Sequence, residues 1–178
     1  RLFRKKIYSG KTITINNSSV IPFDPLFIEE GKNIKGGKKY GDTLNYKIHP
    51  PDNNDINFTS IVKVTFSLLP IDEWYMLSND EKNSFGMKKS AGISILRAGR
   101  EIDFGWFFMG TKRKENYDDW WRCEIEFEPV LDELFGVTHT KQEVHPTELI
   151  KNILTPDIEK IGRELNKQVR ETFQKIKL

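Results

Sequence analysis

Cysteine is nearly absent: Cys123 is the single one in the chain, so no internal disulfide can form, and a reducing, cytoplasmic setting is the simplest expectation. Long apolar runs are also missing. No stretch reaches the roughly 18 apolar residues that a membrane helix needs, and no signal-peptide pattern is present, so no membrane association is expected. Charge of one sign is lacking too. With 28 Lys or Arg against 26 Asp or Glu the formal net charge is +2, which gives no global attraction to nucleic acid or to a membrane surface. The histidines, His49, His139 and His145, have no spacing with Cys123 that would specify zinc. Internal repeats and low-complexity tracts do not occur.

What is present is enough for a core. The 178 residues are 37% hydrophobic and 12% aromatic, which suits one sizeable domain over residues 1–154 with an amphipathic helix over 155–178, docked or reaching to a partner. Alternating apolar and polar residues predict strands over 4–8 and 11–16, joined at Ser9-Gly10, and further strands over 42–48, 60–69, 91–98 and 101–109. Residues 121–127 alternate as well, with Trp121, Cys123, Ile125 and Phe127 on one face, which makes Cys123 a buried small hydrophobe rather than a nucleophile. Residues 71–85 are expected to be partly helical. Val130, Leu131, Leu134 and Phe135 share one helical face, and Gly136 suits a left-handed stop. A last helix is expected from Pro156, with Thr155 as N-cap and Ile158, Ile161, Leu165, Val169, Phe173 and Ile176 spaced by three or four. The predicted fold class is α/β (α+β), with a mixed, mainly antiparallel sheet, helices on one face and a long C-terminal helix.

Several motifs invite a function and have a plainer alternative. Residues 31–39 nearly spell a phosphate-binding P-loop. The lysine comes one position late, no Ser or Thr follows it and no apolar strand precedes it, so a Gly- and Lys-rich turn is expected. Residues 1–50 carry ten Lys or Arg against four Asp or Glu, a face that suits phosphates or, equally, lysines that guard a sheet edge. Trp106, Phe107 and Phe108 beside the basic run 112–114 suit either a platform for single-stranded nucleic acid or a core. Arg97 and Arg100 suit phosphate contacts or ion pairs with Glu101 or a neighbouring strand.

The segment Gly136-Val137-Thr138-His139-Thr140-Lys141-Gln142 is the sharpest candidate site. A packed helix would hold one end of a polar loop that carries a lysine and an amide. A lysine ammonium is a compact, mobile charge that reaches a terminal phosphate without the planar geometry arginine requires.

The segments Pro22-Phe23-Asp24-Pro25-Leu26-Phe27, Arg97-Ala98-Gly99-Arg100-Glu101-Ile102, Trp120-Trp121, Phe135-Gly136-Val137-Thr138 and Thr140-Lys141-Gln142 together resemble prokaryotic MORC-like ATPases. These belong to the GHKL superfamily of gyrase, Hsp-ninety, histidine kinases and MutL. The part resembled is the second, transducer domain, which implies a domain of the ribosomal-protein S-five kind. By position Lys141 is similar to the superfamily's γ-phosphate sensor, with Thr140 and Gln142 beside it. The resemblance implies a preceding ATP-binding domain that holds most of the ATP and Mg²⁺ contacts, a homodimer and association with DNA. That domain's Asn-bearing helix, Asp-x-Gly-x-Gly loop and glycine-rich lid are not in this sequence. The chain is therefore expected to be a fragment that binds no cofactor and hydrolyses no ATP alone. A stand-alone nucleic-acid-binding module and a structural oligomerisation module are the alternatives.

Overall fold

A computed structural model describes all residues except Asp52, Ile56, Lys141 and Leu178. Its centre is a five-stranded sheet made of β3 (Lys38–Ile48), β4 (Ser60–Leu68), β5 (Ile93–Arg97), β6 (Arg100–Gly105) and β7 (Trp121–Phe127), in the order β3-β4-β7-β5-β6. Neighbours are antiparallel except β5 and β7, which run parallel, so the sheet is mixed and mostly antiparallel. This agrees with the α+β expectation. The helices are α1 (Arg4–Tyr8), α2 (Ile71–Trp74), α3 (Asn79–Ser84), α4 (Asp132–Phe135) and α5 (Glu148–Ile176).

The α5 side of the sheet is apolar because the strands alternate. Val62, Val64 and Phe66 of β4, Ile93 and Ile95 of β5, and Trp121, Cys123, Ile125 and Phe127 of β7 all bury there. Ile150, Leu154, Ile158 and Leu165 of α5 complete the cluster, each fully buried. Burying one such side chain is worth roughly 1.5–3 kcal/mol. Gly162 permits the close crossing: a Cβ at that position would lie 2.6 Å from Met109 Cε and 3.4 Å from the Trp121 ring. Farther along α5, Val169 and Phe173 join a second cluster with Phe27, Leu69, Trp74 and Trp120.

Helix α5 begins at Glu148, not at Pro156, and Pro156 lies inside it. Pro156 and Asn152, the residue whose carbonyl loses its helical donor, are both on the exposed side, where water can donate to that carbonyl. The division expected at 154 and 155 thus falls within one continuous helix. Thr147 holds the N-cap position and ties it back to α4, donating to the Leu134 carbonyl from both its backbone N and its Oγ1, at 2.9 and 3.0 Å.

The N-terminal expectation needs a larger correction, because residues 4–8 are helix α1 rather than a strand. Ser9-Gly10 ends that helix: Gly10, at φ +89°, donates to the Ile7 carbonyl and Lys11 donates to that of Lys6. This is the Schellman arrangement of a helix stop, not a hairpin turn. The hairpin lies farther on, where β1 (Thr14–Ile15) pairs with β2 (Ser18–Ser19) across Asn16 and Asn17, both in left-handed backbone that asparagine tolerates.

Nor are the helices confined to one face of the sheet. The residues that alternate with the apolar set, Thr65, Ser67, Arg122, Glu124 and Ser94, point to the opposite side. That side is covered by α1 and by the segment around Leu26 and Phe27, from which the Leu26 carbonyl accepts from Ser67 Oγ at 2.8 Å. Arg4, nearly fully buried, forms ion pairs with Glu101 at 2.6 Å and Glu124 at 2.5 Å, and Arg1 and Lys5 add further cations to the same two carboxylates.

Candidate functional site

The loop that carries the candidate site starts at α4. Pro129–Leu131 form one 3-10 turn that runs into α4, burying Leu131, Leu134 and Phe135, while Val130 is exposed instead of sharing their face. Phe135 stacks flat on Phe127 of β7, with ring centroids 3.8 Å apart. Arg97 of β5 clamps Asp132 through two bonds of 2.7 Å, which raise the guanidinium's pKa above its ordinary value. The helix then stops as expected: Gly136 is left-handed, at φ +56°, and Gly136 and Val137 donate to the carbonyls of Glu133 and Asp132. Glycine is required there for a second reason. A Cβ would lie 2.1 Å from the His145 carbonyl oxygen, because the returning chain passes directly alongside.

That return closes the loop. Val137 and Val144 form an antiparallel bridge, His145 N donates to the Gly136 carbonyl at 3.1 Å, and Thr138 N donates to the Glu143 carbonyl at 3.2 Å. Val144 is buried in the main core, and its N–H donates to Asp103 Oδ2 of β6 at 2.9 Å. The base of the loop is therefore fastened to the sheet. Thr140 and Gln142 are exposed, and the Thr140 hydroxyl lies 3.0 Å from that of Thr138. Lys141, the predicted phosphate sensor, lies outside the described residues.

Other candidates are engaged elsewhere. Arg97 is held by Asp132, not by Glu101. Arg100 lies over the Phe3 ring at 5.3 Å. In the basic run after the aromatics, Lys112 is buried with its ammonium 2.6 and 2.8 Å from the two Asp118 oxygens, and Lys114 donates to the Ala91 carbonyl. Trp106 and Trp121 pack beside Lys112, and Trp121 Nε1 donates to Asn166 Oδ1 of α5 at 2.8 Å. The aromatic run is thus part of the core side of the sheet. Residues 31–37 form an irregular segment with neither a strand before them nor a helix after them, as a turn rather than a P-loop requires. Cys123 is buried, and burial together with Glu124 pushes its thiol well above the usual range.

Among the described residues no group of three or more His, Cys, Asp or Glu side chains is placed to hold a metal ion, and no helix is long and apolar enough to cross a membrane. The sequence reading missed the charged cluster of Arg4, Glu101 and Glu124 and the buried Arg122. Their signal was the alternation Arg122, Glu124, Glu126 in β7, which marks a polar face without saying that another part of the chain covers it.

Compared with known proteins, the chain matches no family model, no curated protein and no solved structure.

Proposed function

We propose that this chain is the transducer domain of a MORC-like GHKL ATPase, with Lys141 as the contact to the γ-phosphate of an ATP held by a preceding domain. The observation that carries the reading is the loop after α4, anchored at Gly136, Val137 and Val144 and exposed at Thr140 and Gln142, the residues on either side of Lys141. A sensor needs both properties, a base that transmits force to the sheet and a tip that can enter another domain's site. Asp103 and Val144 connect the base to β6, while Arg97 and Asp132 connect the preceding helix to β5. A mixed sheet with a long helix on one face is the coarse frame in which the resemblance expects such a loop.

In this reading a lysine at the terminal phosphate stabilises the negative charge that develops during transfer and registers whether the phosphate is there. Departure of the phosphate releases the loop, and the sheet and α5 pass that change onward. ATP and Mg²⁺ are bound mainly by the preceding domain, and homodimerisation accompanies binding.

The test is Lys141→Ala in a protein that contains both domains. Turnover is expected to fall about 100-fold, the scale for loss of one preorganised charge-stabilising donor. Melting temperature should stay unchanged and nucleotide affinity should weaken only modestly. Lys141→Arg is expected to restore turnover incompletely, because the guanidinium's donors are fixed in a plane. Wild-type turnover in Lys141→Ala would remove the sensor role.

A further inference from the structure

On the polar side of the sheet, away from the loop after α4, Arg1 and parts of the segments 21–33 and 83–90 line an open cavity of about 560 Å³. That lies within the roughly 300–1,000 Å³ usual for small-molecule sites. Its lining combines the rings of Phe23 and Phe85 with the cations Arg1, Lys32 and Lys89, and among the described residues it contains no Asp or Glu. Arg1 is already paired with Glu101, whereas Lys32 and Lys89 are exposed, so these two supply the available charge.

The cavity wall is positive in depth as well as at its rim. Ser90, a buried lining residue, accepts from Arg122 Nε at 3.2 Å. Arg122 is fully buried, and its four hydrogen-bond acceptors are neutral oxygens: Ser90 Oγ and the carbonyls of Met87, Asp119 and Trp121. A buried guanidinium ordinarily has a carboxylate against it. Burial pulls the Arg122 pKa down to about 9, with the charge of Arg1 acting in the same direction against the opposing pull of Asp119. An anion in the cavity would offset charge that the fold already bears.

We propose that this cavity binds a small phosphate-bearing molecule with a flat apolar body, of the nucleoside monophosphate class, its phosphate on Lys32 and Lys89 and its ring system against Phe23 and Phe85. The cations select the phosphate, and the rings make the ring-bearing compound bind better than the phosphate alone. This site is independent of the Lys141 loop, since a monophosphate has no γ-phosphate to sense.

The probes are adenosine monophosphate and, separately, inorganic phosphate, titrated into the 178-residue chain and followed by amide NMR shifts and calorimetry. Adenosine monophosphate should saturate a single site, shift the amides of Phe85, Gly86 and Ser90, and raise the melting temperature. Phosphate should shift the same amides and bind about tenfold more weakly or worse, one lost ring contact being of that order. Lys32→Ala with Lys89→Ala should weaken adenosine monophosphate at least about tenfold, the scale of a lost charged hydrogen bond. Both lysines are exposed, so the melting temperature of the free double variant should match wild type; Lys89→Gln alone should give a smaller loss in the same direction. Lys141→Ala should leave binding unchanged, which separates this site from the sensor loop. Absent saturation, equal affinity for the two probes, or wild-type affinity in the double variant would each overturn the proposal.

Discussion

On the α5 side of the sheet, Val62, Val64, Phe66 and Ile125 meet Ile150, Leu154, Ile158 and Leu165 in an apolar layer. On the other side, Ser67, Arg122 and Glu124 of the same strands meet Arg4 and the segment around Leu26 and Phe27. Both sides are covered, yet they are held differently. The first relies on area removed from water, which is non-directional and tolerant of small shifts. The second relies on matched charges and directed bonds, which lose value quickly when one member is removed. That explains the placement of the candidate features: the loop proposed to carry the sensor is anchored to elements packed on the apolar side, and the cationic cavity opens on the polar side.

The comparison is broken most severely by Leu165→Asp. It removes a fully buried side chain worth roughly 1.5–3 kcal/mol and buries an unpaired charge, so a loss above about 4 kcal/mol is expected. Circular dichroism should show unfolding or a large drop in urea midpoint. An unchanged midpoint would mean that α5 is not held by this face.

Arg4→Ala comes next, on the polar side. It leaves Glu101 and Glu124 buried, with Arg1 and Lys5 as their remaining ion-pair partners among the described residues, and a cost of about 3–5 kcal/mol is expected for breaking a buried pair. Adding Glu101→Gln and Glu124→Gln to Arg4→Met should recover most of that loss in the same denaturation assay. No recovery would show that the cluster contributes more than charge matching.

The smallest effect concerns Cys123, whose thiol faces the apolar layer. Burial and Glu124 raise its folded pKa well above 9.0, so the folded state keeps a proton that the unfolded chain releases. Its contribution is complete below the unfolded value and is lost as pH rises beyond it. Stability measured from about pH 8 to about pH 10 should therefore decline more steeply in wild type than in Cys123→Ala, by about 1.4 kcal/mol per pH unit at most. Equal slopes would place the thiol in contact with water.

Much of this was legible beforehand. The strands β3 to β7, although β6 ends at Gly105 and not at 109 as expected, the apolar set of β7, the stop at Gly136 and the buried stripe of α5 follow from periodicity and from residues with narrow backbone preferences. Two local misreadings have local reasons. Ser9-Gly10 serves a helix stop as well as a hairpin, and Pro156 resembles a helix start because proline suits the first turn, although an exposed helix face tolerates it too.

By itself the sequence determined which residues alternate, where the chain must turn, and that one face of β7 is apolar and the other charged. Only the tertiary structure decided that the charged face is buried, that Lys112 in a basic run lies inside against Asp118, and that Arg97 takes Asp132 as its partner. The physical reason is range. Periodicity ranks the two faces of an element by polarity, but whether a charge can leave water depends on a complementary group brought from far along the chain, as Arg4 is brought to Glu124.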